Sequence, residues 1–250
     1  MSATDSNPAQ NSAAHGGCPG VPCYASPCGR VTLYLGDWRV MEITGDILVT
    51  DPPYGDVEWG TGKAWQGKCG TGRLWDGKPE WDVKPTPEEI ARLLAMAPQA
   101  IMWGGNYFEG LPPQKAWLIW DKCADMTQAH AELAWTNLPT TVRTWRKSPL
   151  GVWGNGGGNG EYKVHPTQKP TALMQWCLDI AKVKESALVV DPYMGSGTTG
   201  VASVRRGCRF VGIERDPAHF AEAKARIINE LAQGDLFLGH NSKINKQEAD

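Results

Sequence analysis

Short apolar runs alternate with amphipathic segments along most of the chain, and this alternation predicts an α/β fold. Runs that are apolar at every position, rather than at every second one, indicate strands buried on both faces of a parallel sheet. The order strand, helix, strand, helix is clearest towards the C-terminus. The predicted strands are 31–35, 47–50, 100–103, 117–120, 140–145, 187–190 and 209–213, and the predicted helices are 86–97, 131–136, 171–183, 198–206 and 217–231.

The segments outside this pattern divide the chain into one domain and its appendages. Residues 1–30 are rich in Ser, Ala, Asn, Pro and Gly, so we expect a disordered N-terminal tail there. Residues 239–250 are expected to form a C-terminal tail. The single domain between them, 31–238, carries glycine-rich loop insertions at 56–82 and 147–164. Loops of this length are uncommon in a compact domain unless they are functional.

Composition narrows the class of protein. Of the 250 residues, 41% are hydrophobic and 21% are charged, as is usual for soluble globular domains. No apolar run approaches the ~18 residues that span a membrane, and no secretory signal is visible, so we expect a cytoplasmic protein. The net charge of -2 does not suggest a nucleic-acid binder, although a local basic face suffices for that function.

A glycine-rich connection predicts a nucleoside site. Residues 191–197, Asp-Pro-Tyr-Met-Gly-Ser-Gly, join a predicted buried strand to a predicted helix, where open α/β sheets bind ligands. Gly195 and Gly197 allow a tight turn and a close approach of ligand to backbone. Glu214 ends the next strand, where its carboxylate can accept hydrogen bonds from both ribose hydroxyls. The alternative is a tight turn beside a surface glutamate.

The tetrapeptide Asp51-Pro52-Pro53-Tyr54 directly follows another predicted buried strand. Its two prolines stiffen the backbone and present a carboxylate, a free carbonyl and an aromatic ring at the carboxyl end of that strand. If Asp51 and the Pro52 carbonyl each accept one N–H of an exocyclic amino group, the nitrogen lone pair becomes available for reaction. A base can stack on Tyr54, at roughly 1–3 kcal/mol. The alternative is a rigid turn capped by Asp51.

Together these motifs resemble those of the DNA amino-methyltransferases that modify N6 of adenine or N4 of cytosine, and their order resembles the permuted β class. Residues 51–54 are similar to the D-P-P-Y catalytic motif and residues 191–197 to the methionine-binding loop. Residues 165–170 resemble the H-P-T-x-K-P segment that precedes this loop. Other blocks of that class are similar to 103–106, 117–122, 131–135 and 233–237, so the resemblance covers about 31–238.

The resemblance implies a Rossmann-like fold with a seven-stranded, mostly parallel sheet, helices on both faces and a circularly permuted order. It implies S-adenosylmethionine as methyl donor, base flipping, a place in restriction-modification, and no metal. The catalytic residues would be Asp51, Pro52, Pro53 and Tyr54. The cofactor-binding residues would be Asp37 near the adenine, Glu214 at the ribose, Thr167 and Lys169 near the methionine carboxylate, and Asp51, Asp191, Pro192, Met194, Gly195, Ser196, Gly197 and Thr198 along the donor.

The predicted product is N6-methyladenine, with N4-methylcytosine as the alternative. Asp51 is a full carboxylate, whereas the cytosine-methylating relatives that the chain resembles more often place Ser at that position. A purine also offers Tyr54 a larger face for stacking. Two rival functions are methylation of a protein glutamine amide and nucleic-acid binding without catalysis.

DNA is the expected partner, membranes are not, and a homodimer is compatible with the sequence. The segment available for reading the DNA sequence is short, at about 143–164. Candidate phosphate contacts are Arg143, Arg146, Lys147 and Lys163, with solvated loop charges as the alternative for each of them.

Overall fold

The computed structural model describes residues 22–55, 82–123, 129–148 and 168–247, and for 234–247 it describes the backbone alone. The strands in these ranges are β1 (Tyr24–Ala25), β2 (Val31–Leu35), β3 (Ile47–Thr50), β4 (Gln99–Trp103), β5 (Trp117–Asp121), β6 (Ala131–Thr136), β7 (Arg143–Arg146), β8 (Leu188–Asp191) and β9 (Arg209–Glu214). The α-helices are α1 (Pro87–Ala95), α2 (Thr171–Ile180), α3 (Thr198–Arg205) and α4 (Pro217–Gln247), and short 3-10 helices span Trp38–Val40 and Gly105–Tyr107.

All nine strands belong to one sheet in the order β1-β2-β9-β8-β3-β4-β6-β5-β7. The five strands from β2 to β4 in this order are parallel to one another. The predicted mostly parallel α/β sheet is therefore confirmed. On one side of these five strands, β6 is antiparallel to both of its neighbours, β4 and β5.

Helices cover both faces of the sheet, as predicted. Along β3, Ile47 and Val49 belong to the apolar cluster that contains α2, α3 and α4, whereas Leu48 belongs to the cluster that contains α1. Ile47, Leu48 and Val49 are all buried, which explains why three successive positions of β3 are apolar instead of alternate ones. Helix α1 begins with a capping box in which Thr86 and Glu89 bond reciprocally, as the Thr-Pro-Glu-Glu sequence suggests.

The prediction of a helix at 131–136 is wrong, because these residues form strand β6 between β4 and β5. Ala, Glu and Leu favour helices as isolated residues. Here the long-range pairing of Trp135 with Met102 on one side and Trp117 on the other overrides that preference. Together with β1, this strand accounts for nine strands where seven were expected.

Both expected tails contain ordered structure within the described residues. Strand β1 pairs antiparallel with β2, the Ser26 hydroxyl accepts a 2.9 Å bond from the Val31 amide, and Arg30 donates to the Val204 carbonyl at 2.7 Å. At the other end, α4 continues past Gly234 to Gln247 instead of ending at Leu231. Gly234 and Gly239 both lie inside this helix, and each interior glycine costs about 1 kcal/mol relative to alanine without necessarily ending the helix. Residues 1–21 and 248–250 lie outside the described part.

No α-helix in the described ranges has both the length and the apolar character needed to cross a bilayer.

Candidate active site

Acidic residues stand at the carboxyl ends of four neighbouring parallel strands. In the spatial order β2, β9, β8, β3, these residues are Asp37, Glu214, Asp191 and Asp51. Parallel strands have their carboxyl ends at the same edge of the sheet, so the four carboxylates line one edge. This is the edge at which open α/β sheets bind ligands.

The connection from β8 to α3 is a tight turn that depends on its glycines. Gly197 has φ of +77°, and a Cβ at this position would lie 2.9 Å from the Ala223 Cβ. Gly195 has φ of +51°, and the nearest atom to a Cβ there would be the Tyr193 carbonyl oxygen at 3.9 Å. The backbone at Gly195 is therefore open to a ligand, while the backbone at Gly197 packs tightly against α4.

Asp191 is buried below this turn and tied to the neighbouring strand. Its Oδ1 accepts a 2.8 Å hydrogen bond from the Thr50 hydroxyl and a 3.1 Å bond from the Tyr193 amide. Burial raises the pKa of Asp191 to about 7, against these hydrogen bonds, which favour the ionised form. The Asp191 carboxyl thus links β3 to the glycine turn.

Glu214 faces the same turn from the end of β9. Its Oε2 accepts a 2.9 Å bond from the Gly195 amide and its Oε1 a 2.8 Å bond from the Asp216 amide. Asp37 lies after β2, where its side chain caps the short helix 38–40 and forms an ion pair with Arg39. The two carboxylates follow the neighbouring strands β2 and β9.

The turn after β3 brings Asp51 and Tyr54 together. The Tyr54 hydroxyl donates a 2.9 Å hydrogen bond to Oδ1 of Asp51. The Tyr54 ring stacks on Tyr107, with centroids 4.9 Å apart and planes inclined by 14°. Gly104 lies against the ring, and a Cβ there would come within 2.1 Å of the Tyr54 Cε1. Tyr54 therefore has a fixed position beside the carboxylate.

Two lysines and a second carboxylate complete a buried charge cluster around Asp51. Lys169 Nζ lies 2.6 Å from Oδ2 of Asp51, 2.9 Å from Oε2 of Glu132 and 3.1 Å from the Tyr54 hydroxyl oxygen. Lys122 Nζ lies 2.7 Å from Oε1 of Glu132. Two ammonium and two carboxylate groups balance in charge, and this balance makes their burial tolerable.

The pKa values in the cluster reflect burial and charge. Burial raises the pKa of Asp51, while Lys169 opposes that rise and Glu132 adds to it. Burial alone would raise the pKa of Glu132, but Lys169 and Lys122 together lower it to about 2. Burial would lower the pKa of Lys169, but Asp51 and Glu132 raise it well above its ordinary value. Glu132 and Lys169 are therefore charged at neutral pH.

The profile of a family described as DNA methylase, N6_N4_Mtase, matches residues 106–225. This match spans just under half of the chain and makes it similar to the N6-adenine/N4-cytosine DNA methylases over that segment. A segment of 63 residues, 25% of this chain, is 43% identical to the type II methyltransferase M2.DpnII of Streptococcus pneumoniae. A segment of the same length is 41% identical to the type II methyltransferase M2.LlaDCHI of Lactococcus lactis subsp. cremoris. In each case the match spans only 23% of the relative's length.

A solved structure of similar fold is that of the cytosine-N4-specific PvuII DNA methyltransferase. The likeness has a TM-score of 0.51 at 16% identity and covers 82% of this chain and 88% of that one. At this identity the likeness concerns the fold, which agrees with the single α/β sheet described above.

The structure brings most of the predicted DNA methylase motif residues to one edge. Asp51, Pro52, Pro53 and Tyr54 form the turn after β3. Asp191 ends β8, Thr198 begins α3, and the turn between them contains Pro192, Met194, Gly195, Ser196 and Gly197. Thr167 and Lys163 lie outside the described residues. Lys169 contacts Asp51 and Glu132, so its predicted place at a methionine carboxylate stays a prediction.

Three residues of the site received no role from the sequence: Lys122, Glu132 and Tyr107. Lys122 and Glu132 lie in segments that resemble the family's blocks. A helix at 131–136, as predicted, does not bring Glu132 into contact with Lys122. As a hairpin, β5 and β6 pair Trp120 with Glu132, which brings Glu132 to the carboxyl end of β5 and next to Lys122. An antiparallel reading of the two segments would have found this ion pair.

Proposed function

We propose that the chain is a DNA methyltransferase that transfers a methyl group from S-adenosylmethionine to the exocyclic N6 amino group of adenine. One observation carries the proposal: the Thr50–Asp191 hydrogen bond joins the Asp51–Tyr54 turn and the glycine turn at adjacent parallel strands. A loop suited to hold an amino group thus opens beside a loop suited to hold its donor. The match of residues 106–225 to the DNA methylase family model supports the same reaction.

The residues around the glycine turn suit S-adenosylmethionine. The open backbone at Gly195 leaves space for the methionine part, and Glu214 offers a carboxylate to the ribose hydroxyls. Asp37 follows the neighbouring strand β2, and we propose it as the residue near the adenine. When bound, the donor supplies an electrophilic methyl carbon whose bond to sulfur breaks with the electron pair left on sulfur.

Asp51 and the Pro52 carbonyl orient the target amino group. By accepting its two N–H bonds they direct the nitrogen lone pair at the methyl carbon, and the N–C bond forms as the C–S bond breaks. The alkylated nitrogen then loses one proton, and Asp51, whose pKa is raised by burial, is placed to receive it. The base reaches this site by leaving the DNA stack, at a cost of a few kcal/mol.

Adenine is the proposed base because of Asp51 and the aromatic pair behind it. Tyr54 and Tyr107 form a stacked platform, and Tyr107 is 36% exposed. A purine covers more of such a platform than a pyrimidine does. Asp51, as a full carboxylate, also accepts a hydrogen bond from the amino group more strongly than a hydroxyl would.

Arg143 and Arg146 are proposed to contact DNA phosphates. Both lie on β7, which runs parallel to β5, so the Arg146 end of the strand is at the active edge. Arg146 has a side chain that is 72% exposed and forms an ion pair with Asp121 at 2.9 Å. An exposed pair of this kind is weak and leaves the guanidinium able to bind phosphate.

Incubation with S-adenosylmethionine labelled in its methyl group, followed by separation of DNA from protein, tests the reaction class. The proposal expects label in the DNA, and none when Asp51→Asn replaces the wild type. Label in an added protein substrate instead of DNA favours a glutamine methyltransferase. Bound cofactor without any transfer favours a binding module and contradicts the proposal.

A further inference from the structure

The Lys169 ammonium group uses all of its hydrogen-bond capacity inside the site. An ammonium group has three N–H donors, and three oxygens surround Nζ: Asp51 Oδ2 at 2.6 Å, Glu132 Oε2 at 2.9 Å and the Tyr54 hydroxyl at 3.1 Å. The Lys169 side chain is only 6% exposed. A charged group this deeply buried is held by its partners and not by solvent.

This arrangement sets a problem for the proposed reaction. Oδ1 of Asp51 already accepts from Tyr54, and Oδ2 already accepts from Lys169. The base amino group needs an acceptor at the same carboxylate. A carboxylate has about four acceptor positions, so sharing is feasible. A lysine paired with Asp51 alone would nonetheless compete strongly with the base amino group for this carboxylate.

We propose that Glu132 is a positioning residue for methyl transfer, which shares the Lys169 ammonium with Asp51 so that the Asp51 carboxylate keeps acceptor capacity for the base amino group. The proposal rests on the proposed function. Glu132 is fixed from the other side by Lys122, at 2.7 Å from its Oε1. Strand pairing between β5 and β6 places these two side chains at the active edge. Glu132 thereby shares the ammonium group between two carboxylates.

Glu132 and Lys122 shift the pKa of Asp51 in opposite directions. Glu132→Gln removes a negative charge near Asp51 and leaves Lys169 to pair with Asp51 alone, which lowers the Asp51 pKa. Lys122→Gln removes a positive charge and leaves Glu132 to hold Lys169 more strongly, which raises the Asp51 pKa. A role of Glu132 in packing alone predicts no such opposition.

Three other ionisable groups face the cluster and keep their side chains in these variants. Asp191 faces Asp51 from β8, and the charge of Asp51 contributes to the raised pKa of Asp191. Cys177 of α2 lies near Lys169, and burial raises the pKa of its thiol, so it is neutral at physiological pH. The Tyr54 pKa is raised well above its ordinary value by burial and by Asp51, so Tyr54 stays neutral as well.

Two readouts on the full chain test the proposal. The first is kcat/KM for DNA against pH, measured with Glu132→Gln, Lys122→Gln and Glu132→Asp. We expect a roughly ten- to hundred-fold loss for Glu132→Gln, the range for one hydrogen bond to a charged group, with cofactor affinity unchanged. The acid limb should move to lower pH in Glu132→Gln, to higher pH in Lys122→Gln, and stay in place in Glu132→Asp.

The second readout needs no substrate. Carboxyl 13C chemical shifts give the Asp51 pKa directly, with the Asp51 resonance assigned from Asp51→Asn. Opposite shifts in Glu132→Gln and Lys122→Gln support the positioning role even if the wild type proves inactive on DNA, which would sink only the proposed function. If Glu132→Gln does not fold, Lys122→Gln carries the test. An unmoved Asp51 pKa in the variants that fold overturns the proposal.

Glu230→Gln is the matched control for the loss of a glutamate charge. Glu230 forms an ion pair with Arg205 at 2.8 Å between α4 and α3, away from the active edge. This variant should keep both the wild-type kcat/KM and the wild-type Asp51 pKa. A Glu230→Gln variant that shifts the Asp51 pKa as far as Glu132→Gln does would show that the effect is not local, and would overturn the assignment.

Discussion

The Thr50 hydroxyl donates a 2.8 Å hydrogen bond to Oδ1 of Asp191, although 141 positions separate the two residues in the chain. Thr50 is the last residue of β3 and directly precedes Asp51, while Asp191 is the last residue of β8 and opens the glycine turn. One buried bond therefore sets the spacing between the loop proposed to hold the base and the loop proposed to hold the donor.

Asp191 makes the stability of the protein depend on pH in a specific direction. Its pKa is about 7 in the folded protein and 3.8 for an exposed aspartate. Because the folded pKa is raised, the contribution of Asp191 is fully present below about pH 3.8 and is lost as the pH rises to about 7. The expected loss is on the order of 4 kcal/mol at most.

Urea unfolding of the wild type and Asp191→Asn across this window checks the prediction. The free energy of unfolding of the wild type should fall more steeply with rising pH than that of the variant. Asp51, whose pKa is also raised, contributes a slope to both proteins. Glu132, whose pKa is lowered to about 2, loses its contribution as the pH falls below about 4.5, at the acid end of the window and in both proteins alike. Identical slopes in the two proteins would contradict the assignment to Asp191.

Gly104→Ala should disrupt the catalytic turn. Its φ is +74°, and an added Cβ would come within 2.1 Å of the Tyr54 Cε1. The control is Gly29→Ala, where φ is +70° and no atom lies within 4 Å of the added Cβ. Both variants carry similar backbone strain of roughly 1–2 kcal/mol, so any additional loss in Gly104→Ala comes from displacing Tyr54.

Thermal unfolding and methyl transfer separate these effects. We expect a modest drop in Tm for Gly29→Ala with transfer retained, and a larger drop for Gly104→Ala with transfer reduced at least ~100-fold. Equal Tm values and equal rates for the two variants would mean that the packing of Tyr54 on Gly104 is unimportant.

Glu214→Gln should weaken the binding of S-adenosylmethionine. The side-chain amide keeps an acceptor for the Gly195 amide but loses the negative charge proposed to hold the ribose hydroxyls. Hydrogen bonds to a charged group contribute about 1.5–3 kcal/mol, which corresponds to roughly ten- to hundred-fold in Kd. Isothermal calorimetry measures this directly. An unchanged Kd would remove Glu214 from the donor site.

The sequence predicts the parts of the site in which local pattern and tertiary position coincide. Asp51 and Asp191 each follow a run that is apolar at every position, and such runs lead to the carboxyl edge of a parallel sheet. Gly197 is recognisable because a turn into a helix needs its conformation. For these residues, the type and place of the element suffice.

The Glu132 part of the site depends on pairing that local pattern does not specify. Residues 131–136 contain helix-favouring side chains, and only their partners on β4 and β5 make them a strand. Lys169 lies just before α2. Its motif does not show that Nζ contacts Asp51 and Glu132, at distances under 3 Å, because these contacts depend on the three-dimensional fold. Strand β1 is not predictable from the sequence, because a strand of two residues shows no periodicity.

Mass spectrometry of nucleosides from DNA treated with the wild type and with Asp51→Asn tests the central claim most directly. The account predicts N6-methyladenine with the wild type and none above background with Asp51→Asn, while both proteins bind S-adenosylmethionine with similar affinity. N4-methylcytosine in place of methyladenine would contradict the base assignment alone. A folded wild type that binds the donor but yields no methylated nucleoside, or an Asp51→Asn variant as active as the wild type, would contradict the role given to this site.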